Sequence, residues 1–216
     1  IFPFTNKKDR GYQKTGFLSH VDKNIMGMWG KILVACIPAA VIGLLFDDKI
    51  NELFYNPTVI AIALIVFGIA FIFIENWHKS RKSEPRVNNA LQITYRDALI
   101  IGVFQLIAAI FPGTSRSGAT IIGGLLIGLS RVTAAEFTFY LAIPVMFGAS
   151  LLKLIKFGLA FTGTELAILI VGMVVAFIVS VLVIKFLMSY IKKHDFKVFG
   201  WYRIILGILV LATLVF

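Results

Sequence analysis

The chain has 216 residues, 59% of them apolar and only 15% charged, and its mean hydropathy is +0.91. That balance excludes a water-soluble domain and predicts an all-α, polytopic transmembrane helix bundle, a single domain over residues 1–216. The net charge of +10 is accounted for by basic loops between apolar spans, so no nucleic-acid partner is invoked, and the lone Cys36 excludes a disulfide framework.

In chain order, residues 6–24 are polar and basic, and residues 1–4 are too short an apolar stretch for a signal peptide. No initiator Met is present, which leads to the expectation that the chain begins inside a longer protein. Residues 28–46 form the first predicted span, with Pro38 inside it, and residues 47–56 a short polar turn. Asn56-Pro57 reads as the cap and first position of a second span that runs to about Ile74, with Trp77 as an interface anchor. Residues 75–96 read as a long basic loop without the periodicity of a buried element. Thr94 and Asp97 have the spacing of a capping box.

The next stretch breaks the pattern of full spans. Apolar runs over 98–111 and 119–129 reach only about 16–21 Å as helices, against a hydrocarbon core of roughly 30 Å. Between them lies Pro112-Gly113-Thr114-Ser115-Arg116-Ser117-Gly118. Pro-Gly stops a helix, so residues 97–130 predict a re-entrant helix-loop-helix hairpin whose tip lies inside the membrane. Backbone outside a helix survives there only where protein or water satisfies it, and an arginine needs an anionic partner. Thr114, Ser115 and Ser117 surround Arg116, and Thr120 lies one turn further on. A second half-helix beginning near Gly118 would aim its free amides and positive dipole end at the same spot. Glycines at 113 and 118 would let the backbone approach a ligand. A guanidinium fork, hydroxyls and a helix N-terminus together describe a phosphate or diphosphate cradle. The plainer alternative is an arginine reaching the headgroups beside a helix kink.

After the hairpin, Thr133 and Glu136 read as a second capping box that opens a third span to about Ile155, with Pro144 as a kink. Thr162 and Glu165 repeat the pattern before a fourth span ending near Met188. Residues 192–197 are a basic turn, and residues 202–216 a short fifth span. Gly118, Gly123, Gly124 and Gly128 include small residues four apart and read as helix packing, with ligand approach at Gly118 alone.

Lys and Arg number six in residues 1–31, five in 76–96 and five in 185–203, against one in 47–56 and two in 153–165. The positive-inside rule puts the rich side in the cytoplasm and the C-terminus outside. His20, His78 and His194 show no metal-ligand spacing. Glu136 and Glu165 read as helix caps, Asp47 and Asp48 as a solvated turn. Gln105 is a buried amide that either bonds a neighbouring helix or lines a cavity.

The stretch Phe104-Gln105 followed by Pro-Gly-Thr-Ser-Arg-Ser-Gly-Ala-Thr over residues 112–120 closely resembles the second signature of the bacterial undecaprenyl-diphosphate phosphatases, the bacitracin-resistance family. The resemblance continues through Ile37-Pro38-Ala39-Ala40-Val41-Ile42-Gly43-Leu44-Leu45-Phe46, Ser130-Arg131 and Ala134-Ala135-Glu136-Phe137. It implies a bacterial inner-membrane enzyme built from inverted repeats, each with a re-entrant hairpin. Such enzymes hydrolyse undecaprenyl diphosphate to the monophosphate at the outer face and recycle the peptidoglycan lipid carrier. The implied catalytic residues are Arg116, which would neutralise the diphosphate, and Ser115. Gly113, Thr114, Ser115, Arg116, Ser117, Gly118 and Thr120 would form the diphosphate-binding set. The implied partners are a polyprenyl diphosphate lipid and the bilayer, and a homodimer is compatible with the family. A divalent cation, Mg²⁺ or Ca²⁺, is also implied. Its ligands are expected on an earlier, glutamate-bearing signature that nothing in residues 1–31 matches. The expectation is therefore a fragment, with a truncated and inactive homologue as the alternative, that supplies the cradle and, alone, releases no phosphate.

Two other classes fit parts of the pattern. A transporter or flippase for a phosphorylated lipid or other anionic substrate would want the same Arg and hydroxyls. A non-catalytic membrane scaffold would leave Arg116 without a purpose.

Overall fold

The computed structural model describes residues 23–80, 84–158 and 162–215. These form α1 (Lys23–Phe54), α2 (Pro57–Ser80), α3 (Tyr95–Ile110), α4 (Arg116–Leu126), α5 (Arg131–Phe157), α6 (Gly163–Ile191) and α7 (Lys197–Val215), with a 3-10 turn at Ala90–Gln92. Five of the seven helices (α1, α2, α5, α6 and α7) contain stretches long and apolar enough to cross a membrane. The protein is all-helical and multi-pass. The other two helices, α3 and α4, have 16 and 11 residues, about 24 and 16 Å at 1.5 Å per residue.

Several helix ends differ from the expectations above. Residues 47–54 continue α1 instead of forming a turn, because the run contains no Gly or Pro to stop the helix. The break comes at Asn56-Pro57, where Asn56 Oδ1 accepts the Val59 N–H at 2.9 Å and Pro57 takes a position that needs no donor. Likewise α2 runs past Ile74 to Ser80. The supposed loop behind it carries buried Val87, Ala90 and Ile93. Their three-residue spacing agrees with the 3-10 turn at Ala90–Gln92, but the segment is too short and too polar to show a helical period in sequence. The segment is instead pinned as a strap: the Val87 N–H donates to Gly128 O at 3.3 Å and the Ser130 N–H to Val87 O at 2.9 Å. The capping boxes at Thr94–Asp97 and Thr162–Glu165 both form. The one expected at Thr133 does not, since α5 begins three residues earlier with Ser130 as its cap.

α2 and α7 pack antiparallel at very close range. A Cβ on Gly68 would lie 2.7 Å from Gly200 O, and one on Gly207 would lie 2.8 Å from Ala61 O. In lipid, such small-residue contact replaces the hydrophobic drive that water provides elsewhere. α1 and α3 run parallel, since Lys31 Nζ donates to Leu91 O at 3.1 Å while Phe54 meets Phe111 in an edge-on ring contact at 5.1 Å. α6 is exposed along nearly its whole length, with Ile191 its buried residue. A helix apolar on all sides that meets the other described residues mainly at its C-terminal end is suited to lipid.

The bundle thus has two distinct ends. At one, the α3–α4 connection lies beside the end of α1 and the first turn of α2. At the other, Glu75 of α2 is fully buried and paired with Arg131 of α5. It also accepts the Phe196 N–H that precedes α7. Here Arg86 bridges the Asp97 carboxylate, at 2.6 Å, and Ile127 O, at 3.1 Å.

Candidate functional site

The site is built from the α3–α4 connection. Pro112 ends α3, and Gly113 follows at φ +92°, with a would-be Cβ only 2.7 Å from Ile60 O. The close approach predicted for Gly113 is therefore to the backbone of α2. Thr114 is buried and turns back on the helix end, its hydroxyl donating to Phe111 O at 2.8 Å.

Ser115 is the one non-glycine at positive φ among the described residues, at φ 63° and ψ 118°. Holding an L-residue there costs on the order of 1–3 kcal/mol, and such outliers concentrate at ligand clamps and active sites. The strain coincides with a cap: Ser115 Oγ accepts the Gly118 N–H at 3.2 Å and lies 3.2 Å from Ser117 Oγ. Arg116 is therefore the first residue of α4, two positions before the expected start at Gly118. Its side chain is exposed, and among the described residues it has no hydrogen-bond or carboxylate partner. The amides of Arg116 and Ser117 likewise lack an acceptor there, as the first turn of a helix dictates.

Of the seven residues singled out in the sequence, Ser115, Arg116 and Ser117 are thus brought together with open donors. Gly118 packs on the Phe71 ring, 3.0 Å from a would-be Cβ. Thr120 is buried, its hydroxyl within reach of Arg116 O (3.1 Å), Ser117 O (3.0 Å) and Thr138 Oγ1 of α5 (2.9 Å). Its single proton is spent inside the protein.

Arg203 is a residue the sequence reading missed. It counted there as one more basic residue of a flanking loop, yet it lies inside α7. Its Nη1 donates to Thr114 O at 2.8 Å and Gly113 O at 3.4 Å, and its guanidinium lies 5.7 Å from the centre of the Phe71 ring. The signal that could have revealed it is an arginine followed by an unbroken apolar run in a spanning helix. Gln105 is buried, and its Nε2 has no partner among the described residues.

The remaining chemistry belongs to the far end. Burial pushes the Asp97 carboxyl up, but hydrogen bonds from Thr94 and the Arg86 guanidinium more than offset this and hold it below the usual carboxylate range. A cleft of about 620 Å³ opens there beside His78, Lys79, Arg86 and Arg131, with both arginines already paired to carboxylates. Among the described residues no three His, Cys, Asp or Glu side chains gather to hold a metal ion. The donors around Arg116 are N–H and O–H groups, which suit phosphate oxygens and not a cation.

The family model described as bacitracin resistance protein BacA matches residues 5–209 of the chain. A protein from Desulfitobacterium hafniense named undecaprenyl-diphosphatase is 69% identical over 191 residues, 88% of this chain and 68% of that protein. Undecaprenyl-diphosphatase 1 of Clostridium acetobutylicum is 64% identical over 89% of this chain and 70% of its own length. An undecaprenyl-diphosphatase of Enterococcus faecalis is 58% identical over 98% of this chain and 75% of its own length.

Proposed function

The chain belongs to the bacitracin resistance protein BacA family, and from that premise we propose that residues 113–118 bind the diphosphate of its lipid substrate. The activity is that of an undecaprenyl-diphosphate phosphatase, a hydrolase of the membrane that recycles the cell-wall lipid carrier and confers bacitracin resistance. The observation that carries the site is the start of α4. There a guanidinium and two amides without a partner among the described residues, together with the mutually bonded Ser115 and Ser117 hydroxyls, converge on a strained cap.

A diphosphate fits these donors atom by atom. The Arg116 fork takes two non-bridging oxygens in parallel. The Arg116 and Ser117 amides take a third at the positive end of α4, and the Ser115–Ser117 hydroxyl pair, one of whose two protons lies between them, donates its remaining proton to an oxygen beside it. In hydrolysis the water oxygen bonds to the terminal phosphorus, the bridging P–O bond breaks and the lipid monophosphate leaves. Arg116 would offset the negative charge as it moves onto the leaving oxygen. Ser115, held out of ordinary backbone space next to the fork, is placed to contact the reacting phosphate. A divalent cation finds no ligand set among the described residues, and no step is derived through one.

In this reading α3 and α4 are a re-entrant hairpin and one half of an inverted-repeat design. The support is that neither helix is long enough to cross a bilayer. The loop end faces outside and the opposite end the cytoplasm. Lys79, Arg86, Arg131, Lys192, Lys193 and Lys197 all flank helix ends on that opposite side, as the positive-inside rule requires. Transport is not carried forward, because the near relatives are diphosphatases. The test is binding of farnesyl diphosphate to the wild-type chain and Arg116→Lys, with phosphate release from undecaprenyl diphosphate measured for the same pair in a protein that also carries the expected upstream glutamate signature. A marked but measurable weakening of binding and a large fall in release are expected in the variant, and retention of both would refute the site.

A further inference from the structure

We propose that Arg203 is a positioning residue that holds the diphosphate loop in its binding conformation, an inference that rests on the reading of residues 113–118 as the diphosphate site. Arg203 lies six residues into α7, within an apolar spanning stretch where a guanidinium is costly unless it has a task. Among the described residues it pairs with no carboxylate. Its bonds run to two main-chain carbonyls, Gly113 O and Thr114 O, and its face lies over Phe71.

Those contacts grip the loop on both sides of its strained part. The carbonyls precede Ser115, and the Phe71 ring under Arg203 packs on Gly118, which follows it. Between the two grips stands Ser115 at positive φ, and Gly113, which carries one of the gripped carbonyls, is at positive φ as well. A peptide unit is planar and trans, so its C=O and N–H point in opposite directions. With Thr114 O drawn toward Arg203, the Ser115 N–H is turned the other way. Arg203 thus selects the peptide orientation that orders the donors without itself reaching the ligand. It also brings a second positive charge beneath a loop built for an anion.

Two measurements on the detergent-purified chain test this: titration with farnesyl diphosphate and hydrogen exchange. In Arg203→Met, the dissociation constant should rise about tenfold, the effect of losing hydrogen bonds from a charged donor. Exchange should accelerate in residues 111–118, while peptides from the α2–α7 contact keep wild-type protection. Arg203→Lys should recover part of both, since it keeps the charge and one donor. Because Arg203 acts through the loop, adding Arg203→Met to Arg116→Lys should weaken binding by less than twofold more. Wild-type affinity and exchange in Arg203→Met would overturn the proposal. So would losses that multiply in the double variant while exchange rises all along α2 and α7, the mark of a general packing role. If Arg116→Lys binds as wild type while Arg203→Met still frees the loop, the positioning stands and the diphosphate reading falls.

Discussion

Replacing Arg116 with lysine isolates the guanidinium fork from its charge. The side chain stands exposed at the first position of α4 and has no hydrogen-bond or carboxylate partner among the described residues, so the change should leave folding untouched. Lysine keeps a positive charge near the same place, and with it the long-range attraction for an anion. It cannot donate two parallel N–H bonds to adjacent oxygens. Removing one preorganised donor from a developing oxyanion commonly costs about 3–4 kcal/mol, or 10²–10³ in rate. Ser115→Ala and Ser117→Ala set the scale. Each removes a neutral hydrogen bond, about 1 kcal/mol, but Ser115 also caps α4 through Gly118 N. Its loss should therefore lower the unfolding midpoint by an additional ~1 kcal/mol of stability, which Ser117→Ala should not. Phosphate release from undecaprenyl diphosphate by the same variants in a protein that also carries the expected upstream glutamate signature, read alongside thermal unfolding of the same detergent samples, separates the two effects. Arg116→Lys turning over within threefold of wild type would show that the fork is not used, and the plainer reading of Arg116 as a headgroup contact would take its place.

The topology predicts that, in a Cys36→Ser background, Asn51→Cys reacts with a membrane-impermeant maleimide added outside cells and Asn88→Cys does not; the reverse pattern would invert the protein. Gly68→Ala places a methyl 2.7 Å from Gly200 O and should destabilise the α2–α7 pair by about 1–3 kcal/mol. Gly172→Ala in α6, with nothing within 4 Å, should be neutral or mildly stabilising, and equal unfolding midpoints for the two would contradict the packing described. Because its hydrogen bonds hold the Asp97 carboxyl below its usual range, Asp97 contributes stability that is fully present above the ordinary carboxylate pKa of about 3.9. That contribution is lost as pH falls through the lower folded-state value. The unfolding midpoint should drop below about pH 4, and less so in Asp97→Asn; identical acid profiles would remove Asp97 from the account.

What could be read in advance divides along a physical line. Uninterrupted apolar runs declare the spanning helices, because a bilayer demands about 20 such residues whatever the neighbours do. The Pro-Gly break with an arginine behind it declares the loop, because backbone chemistry alone forbids a straight helix there. Features set by tertiary contact were hidden. The charged tail of α1 resembled a turn, although residues 47–54 carry ordinary helix formers and no breaker. Val87, Ala90 and Ile93 are buried by a strap that exists only because residues 128–130 run beside it. At the site, the right residue types were visible and their orientation was not. Thr120 is one turn beyond Arg116, but a threonine hydroxyl inside a helix can bond back to the carbonyl four residues earlier, and Thr120 does so. Arg203 was counted with the loops because a residue near a helix end looks the same in sequence whether it faces water or reaches inward. The carbonyls that explain it lie 89 and 90 residues away along the chain. On the proposed reading this loop uses two arginines of different kinds. One, Arg116, sits on the loop and is free to meet the ligand. The other, Arg203, comes from a neighbouring helix and is consumed in keeping a strained backbone in place.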